Sequence, residues 1–217
     1  MIQLGHIKHR YPSPQGEEVS AVDDVSLSID AGKFVALRGP SGCGKSTLML
    51  IAGGLLRPSS GEVTVAGMAP YKVSLDERAS FRASSIGFVF QQFHLVPYLN
   101  VLDNVMAASL ATGRKNRQRA MELIQEFGLE PRQHHTPGAL STGERQRTAM
   151  ARALYNDPEV LLADEPTGNL DPENADIILK RLLAFADNGG AVLMVSHDDH
   201  ATSFAHDIVR MSEGKLI

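Results

Sequence analysis

Tryptophan is absent from the 217 residues, and there is one cysteine. Cys43 alone cannot close an internal disulfide, which fits a reducing compartment. Long hydrophobic runs are also missing. The best, Leu48 to Leu56, falls well short of the roughly 20 apolar residues that cross a bilayer and holds two glycines. Met1 to Arg10 alternates apolar and polar residues and lacks the apolar block of a secretory signal. The expectation is a soluble chain whose membrane role, if any, comes through a partner. Nor is there an excess of positive charge: 21 Lys and Arg face 25 Asp and Glu, a formal charge of −4. Bulk attraction to nucleic acid or anionic lipid is not expected of such a chain. Repeats and low-complexity tracts are lacking too. Hydrophobic residues at 43% and charged residues at 21% exclude wholesale disorder.

What is present reads as strands and helices in alternation. Val25, Leu27 and Ile29 alternate with polar neighbours as in a half-buried strand. Phe34 to Leu37 is a short apolar strand, Glu62 to Ala66 alternates, and Ile86 to Phe90 is rich in β-formers. Helical spacing appears at Arg117 to Phe127 and Ser141 to Tyr155. Val160 to Ala163 and Ala191 to Val195 are strands again. Between them a helix from about Pro172 to Ala186 is capped by Asp171 and ended by Gly189-Gly190. This order predicts a mainly parallel sheet covered by helices, with a helical lobe inserted between strands.

Gly39, Pro40, Ser41, Gly42, Cys43, Gly44, Lys45, Ser46 and Thr47 fit the G-x-x-x-x-G-K-[ST] phosphate loop, placed between a strand and a helix. Glycines let backbone N–H groups converge on phosphate oxygens, and the helix end adds partial positive charge. Lys45 is expected to reach the β- and γ-phosphates and the Ser46 hydroxyl to ligate Mg²⁺. Cys43 reads either as a small loop residue or as a thiol activated by the helix end and Lys45. In the second case alkylation would lower ATPase activity and bound ATP would protect.

The strand Val160 to Ala163 delivers Asp164 and Glu165. Beside a phosphate loop the two carboxylates divide the labour: Asp164 for Mg²⁺, Glu165 to polarise the attacking water.

Leu140-Ser-Thr-Gly-Glu-Arg-Gln-Arg147 precedes that pair and resembles the LSGGQ signature of ATP-binding cassette (ABC) ATPases. Tyr11 stands where the family has an aromatic that stacks on adenine, and Gln91 matches the Q-loop glutamine. Asp171 in Asn169-Leu-Asp171 matches the D-loop, and His197 in Val195-Ser-His-Asp198 matches the switch histidine. The resemblance covers essentially the whole chain. Asp164-Glu-Pro-Thr-Gly-Asn-Leu-Asp171 and Ile86 to Phe93 look like the branch of lipoprotein-releasing, macrolide-exporter and cell-division ATPases.

The resemblance implies a fold and a way of working. The fold is α/β, a P-loop NTPase (RecA-like) core with a mainly parallel sheet, an N-terminal antiparallel β subdomain and an inserted α-helical lobe. One domain spans 1–217, with its core in 1–90 and 156–217 and the lobe in 91–155. The activity is hydrolysis of MgATP by a dimer of two copies turned head to tail, each signature closing over the other's γ-phosphate through Ser141 and the Gly143 amide. Lys45, Gln91, Glu165 and His197 serve catalysis, with Ser46, Gln91 and Asp164 at the metal. Integral membrane permease subunits are the partners, which places the chain in the cytoplasm against the inner face of the membrane. The alternative is a cell-division-type ATPase that drives a membrane complex without moving a substrate. A soluble DNA-repair or translation cassette is disfavoured because no coiled-coil insert, second fused cassette or basic face is expected, and a small-molecule kinase leaves Leu140 to Arg147 and His197 without a job.

Several residues carry a second reading. Ser141 with Glu144 is also a capping box. Asp171 is also an N-cap, and Tyr11 also an aromatic packed on Pro12 and Pro14 in a loop. Phe93, Leu95, Val96, Pro97 and Leu99 either line a groove for the membrane subunit or pack the lobe. Thr142 departs from the family's glycine; it costs little if φ is ordinary and strains the loop if φ is positive.

Overall fold

A computed structural model of the chain describes residues 1–12 and 18–217. Two sheets divide its strands according to their hydrophobic pattern. β1 (Ile2–Pro12), β2 (Glu18–Ile29) and β4 (Ser60–Val65) form an antiparallel sheet in the order β2-β1-β4. Their buried residues lie on one face, Ile2 and Leu4 of β1 among them. The second sheet has the order β5-β6-β7-β3-β8-β9. Here β3 (Phe34–Arg38), β5 (Ile86–Phe90), β6 (Val160–Asp164), β7 (Ala191–Val195) and β8 (Asp207–Ser212) run parallel, and β9 (Lys215–Leu216) returns antiparallel. Its central strands are apolar without alternation because both faces are covered.

The two faces carry separate cores. Phe34 and Ala36 of β3 join Leu161, Ala163, Val192 and Met194 beneath the helices. Val35 and Leu37 join Leu162, Leu193, Ile2 and Ile7 on the side of the antiparallel sheet, with α1 (Lys45–Ala52) between them. The helical side comprises α3 (Val101–Met106), α4 (Arg117–Glu126), α5 (Thr142–Leu154) and α6 (Pro172–Asp187). The chain leaves the sheet after β5 and returns at β6, its immediate neighbour. Leu123, Ile124 and Met150 from this excursion pack into the same core as the sheet residues. Each such side chain contributes about 1.5–3 kcal/mol by burial. The helical excursion therefore has no core of its own.

Helix ends obey local chemistry. Asp171 caps α6 by accepting from the Asn174 amide, Pro172 takes the first position, and Ala175, Ile178, Leu179 and Leu182 form the buried stripe. Gly189, at φ +95°, stops the helix.

Some elements differ from the sequence reading. Tyr11 lies in β1, paired with Val19, and not in a loop; Pro14 falls outside the described residues. α2 (Leu75–Ser85) is a helix the periodicity did not reveal, because only Phe81 of it is buried. Its Ser74–Glu77 capping box was the available signal. β8, β9, α3 and α7 (Asp199–Thr202) were likewise not foreseen.

Candidate functional site

Register builds the site. Phe90 pairs with Asp164, Asp164 with Val195, and Val195 with Leu37, so the C-terminal ends of β5, β6, β7 and β3 stand in one row. The residues just beyond these strands lie along a single edge: Gln91, Glu165, His197 and the loop from Gly39. In open parallel sheets that edge is where ligands bind. A cavity of about 690 Å³ opens there, and Lys45, Ser46, Gln91, Asp164, Glu165 and His197 all reach it. Tyr11 closes one side, its hydroxyl 3.3 Å from Thr47 Oγ1.

The loop itself is braced from behind. Gly44 has φ +103°, and a Cβ there would run into the Ala21 carbonyl of β2, so both backbone and space demand glycine. Lys45 is buried and donates from Nζ to the Gly39 and Pro40 carbonyls at 2.9 and 2.7 Å. The Ser46 hydroxyl donates to Asp164 Oδ1 at 3.2 Å. Burial pushes the Asp164 carboxyl above its ordinary pKa, and the Glu165 charge adds to this; the Ser46 hydrogen bond and Lys45 oppose it. Cys43 is the one loop residue from Gly39 to Thr47 that does not line the cavity. Cys43 is 6% exposed and packs into the core on the antiparallel-sheet side, with Lys45 Nζ 3.8 Å from its Sγ; it is both a small packed loop residue and a neighbour of the loop cation.

Glu165 sits in left-handed backbone at φ +46°, its amide donating to the Val195 carbonyl at 2.9 Å. Non-glycine residues held this way cost on the order of 1–3 kcal/mol and cluster at functional sites. His197 Nδ1 lies 2.7 Å from Glu165 Oε1; the histidine side chain is 74% exposed and the glutamate 19%. Gln91 reaches toward the same segment, and a Cβ on Gly168 would lie 2.9 Å from its Nε2.

Ser141, Gly143 and Asp171 stand outside this cavity. Ser141 caps α5: its Oγ accepts from the Glu144 amide at 3.2 Å, while Glu144 Oε2 accepts from the Ser141 amide at 2.7 Å. That amide and Arg132, in that order, hold the Glu144 carboxyl below its ordinary pKa, against the cost of burial. Thr142 is the first helical residue and does not have positive φ, so the strained alternative falls away. Gly143 approaches α6 so closely that a Cβ would strike the Asn174 side chain. Asn174 is in turn held by Asp171 Oδ2 at 2.7 Å and by Arg147. The expected residues thus form two groups, one around the phosphate loop and one at the start of α5.

A strand–loop–helix phosphate cradle with two carboxylates at the neighbouring strand end defines a P-loop nucleotide site. A family model described as ABC transporter matches residues 22–168. The lipoprotein-releasing system ATP-binding protein LolD of Paramagnetospirillum magneticum is 42% identical over 100% of this chain and 97% of its own length. The macrolide export ATP-binding/permease protein MacB of Burkholderia pseudomallei is 41% identical over 100% of this chain, which spans only 34% of that relative. Among solved structures, a dimer of the bacterial ABC transporter cassette MJ0796 matches with TM-score 0.92 and 37% identity, covering 100% of this chain and 96% of that one. A dimeric post-hydrolysis state of MJ0796 bound to ADP and Pi matches with TM-score 0.91 and 36% identity, with the same coverage. The chain belongs to the ABC transporter family. Its domain is an ABC-type ATPase of the branch that contains LolD and MacB.

Proposed function

We propose that this chain is the ATP-hydrolysing subunit of a membrane transporter, and that its active site is complete only when two copies meet head to tail. The carrying observation is the separation of the two groups: the phosphate loop has its own cavity, and the capped start of α5 is an anion-directed helix end outside it. The dimeric neighbours support the same arrangement.

In this reading Gly39 to Thr47 cradle the triphosphate of ATP, and Tyr11 stacks on its base. Lys45 exchanges its loop carbonyls for the β- and γ-phosphates. Ser46, Asp164 and the Gln91 amide oxygen suit Mg²⁺, since all three are hard oxygen donors and Ser46 already meets Asp164. Mg²⁺ held there would supply charge neutralisation for the phosphates. Glu165 accepts a proton from water as its oxygen bonds to the γ-phosphorus; the bond to the β–γ bridging oxygen breaks and ADP leaves with that electron pair. His197 holds the Glu165 carboxylate and contacts the γ-phosphate. Ser141 and the Gly143 amide of the second copy close over that phosphate, and Asp171 aligns the halves.

The partner subunits have a place to dock. A groove of about 490 Å³ lies beside β5, walled by Leu55, Ala79, Phe88, Phe90, Ala107 and Leu110. Phe93, Leu95, Val96, Pro97 and Leu99 are not among its walls, and none of them is fully buried in the core. Among the described residues no helix is long and apolar enough to cross a membrane. An integral membrane subunit seated in this groove would hold the cassette on the inner membrane face, at the junction of the core in 1–90 and 156–217 with the 91–155 lobe. Export or lipoprotein extraction is the reading favoured by the relatives' names.

Glu165→Gln tests this. Light scattering should show a dimer that forms with ATP and persists with little phosphate release. A variant that stays monomeric in ATP, or hydrolyses normally, would overturn the assignment.

A further inference from the structure

Gln91 owes its aim to more than the strand before it. Phe93 and His94 both hold left-handed backbone, at φ +46° and +47°, although neither is glycine. Surroundings must enforce such a conformation. The last turn of α5 supplies the enforcement. Arg152 donates from Nη2 to the Phe93 carbonyl and from Nη1 to the His94 carbonyl, each at 2.6 Å. Among the described residues Arg152 has no carboxylate partner, and burial draws its pKa below the ordinary arginine value. Its planar fork matches two carbonyls on adjacent residues, a geometry a lysine cannot reproduce.

The same helix grips the other catalytic segment. Gln146, fully buried, donates from Nε2 at 2.6 Å to the carbonyl of Pro166, the residue after Glu165. Just beyond α5, Asn156 donates to the Ala83 and Ala108 carbonyls at 2.7 and 2.9 Å, and so ties α2 to the turn at Ala107. α5 begins at the Ser141 cap and ends beside the groove, whose wall includes the half-buried Arg152 and Asn156.

We infer that Arg152 is a positioning residue for hydrolysis: it locks the backbone after Gln91 into its left-handed turn and so ties the aim of Gln91 to the helix that Ser141 caps. The inference rests on the proposed role of Gln91 at the metal. It also gives the groove a short route to the site, since an occupant that shifts Arg152 releases or re-aims Gln91.

The test compares Arg152→Met, Arg152→Lys, Gln91→Ala and the double variant Gln91→Ala/Arg152→Met in the full chain. In nucleotide-free Arg152→Met, amide hydrogen exchange across 91–95 should quicken by about tenfold or more while 39–47 keeps its protection. Its kcat should fall by about tenfold to a hundredfold, the scale of a misplaced catalytic group, with ADP affinity unchanged. Arg152→Lys should be intermediate in both measurements. The double variant should be no slower than Gln91→Ala alone, because both changes remove one function. Unchanged exchange at 91–95, or losses that multiply in the double variant, would overturn the inference. Should Arg152→Met fail to fold, Arg152→Lys carries the same comparisons. Wild-type kcat in Gln91→Ala would remove the role of Gln91 and this inference together. A slow Gln91→Ala beside a wild-type Arg152→Met would remove the inference alone.

Discussion

The phosphate-loop side and the start of α5 are built by different means. The first is a product of long-range register: Leu37, Val195, Asp164 and Phe90 come from four separate strands, and their alignment sets the places of Gly39, His197, Glu165 and Gln91. The second is mainly local, with Ser141 and Glu144 capping each other across one helical turn; only Asn174, from α6, comes from a distance to pack beside Gly143 and Arg147. A single folded copy therefore suffices to form the nucleotide cavity. The cap at Ser141 does not depend on residues of that cavity, and Ser141 is exposed. Hydrolysis and stability should accordingly separate cleanly at the two places.

The largest effect is expected on the register-built side. Glu165→Gln should lower phosphate release by at least about a hundredfold, the contribution of a positioned general base. At the other side Ser141→Asp is the sharper probe. Aspartate caps a helix as well as serine, so thermal stability should stay within about 0.5 kcal/mol of the parent. Its charge would oppose the γ-phosphate, so turnover should fall by about tenfold or more, as when an anion-stabilising donor is lost. Ser141→Asp that turns over normally would show that Ser141 is a cap and nothing else.

Asp164 tests the cost of burying a carboxylate at the proposed metal site. Its folded-state pKa is raised, so the fold favours the protonated form, and its stabilising contribution is present at low pH and lost as pH rises through that pKa. At neutral pH the buried carboxylate is thus a liability. Asp164→Asn should raise the stability of the nucleotide-free chain at pH 7 by about 0.5–2 kcal/mol, while abolishing hydrolysis. The gain should shrink as pH falls toward the ordinary aspartate range, read from thermal melts across pH. The smallest effect is expected at Thr142. It occupies an ordinary helical position, so Thr142→Gly should cost less than about 1 kcal/mol and leave turnover near the parent value.

The sequence disclosed some of this and hid the rest for physical reasons. Gly39 to Thr47 and Asp164-Glu165 stand out by residue type and spacing and His197 only through the family resemblance, and the structure brings them to one cavity, Cys43 excepted. The parallel sheet was legible because strands buried on both faces are uniformly apolar. α2 was hidden because a helix with only Phe81 buried has no stripe to detect. Pro12 and Pro14 suggest a loop around Tyr11, yet β1 runs through Tyr11 and Pro12 as a pairing strand. Arg152 carried no local signal at all: its partners at Phe93 and His94 are backbone carbonyls far away in sequence, and left-handed turns at non-glycine residues cannot be read from composition. The packing of Cys43 away from the cavity also needed three dimensions.

The divided site is probed at its root by ATPase activity per mole of chain across a dilution series, with light scattering on the same samples. Activity should rise with concentration and track the population of ATP-dependent dimer. Constant activity per mole down to dilutions at which only monomer scatters would show that one copy holds a whole active site, and the divided site would be refuted.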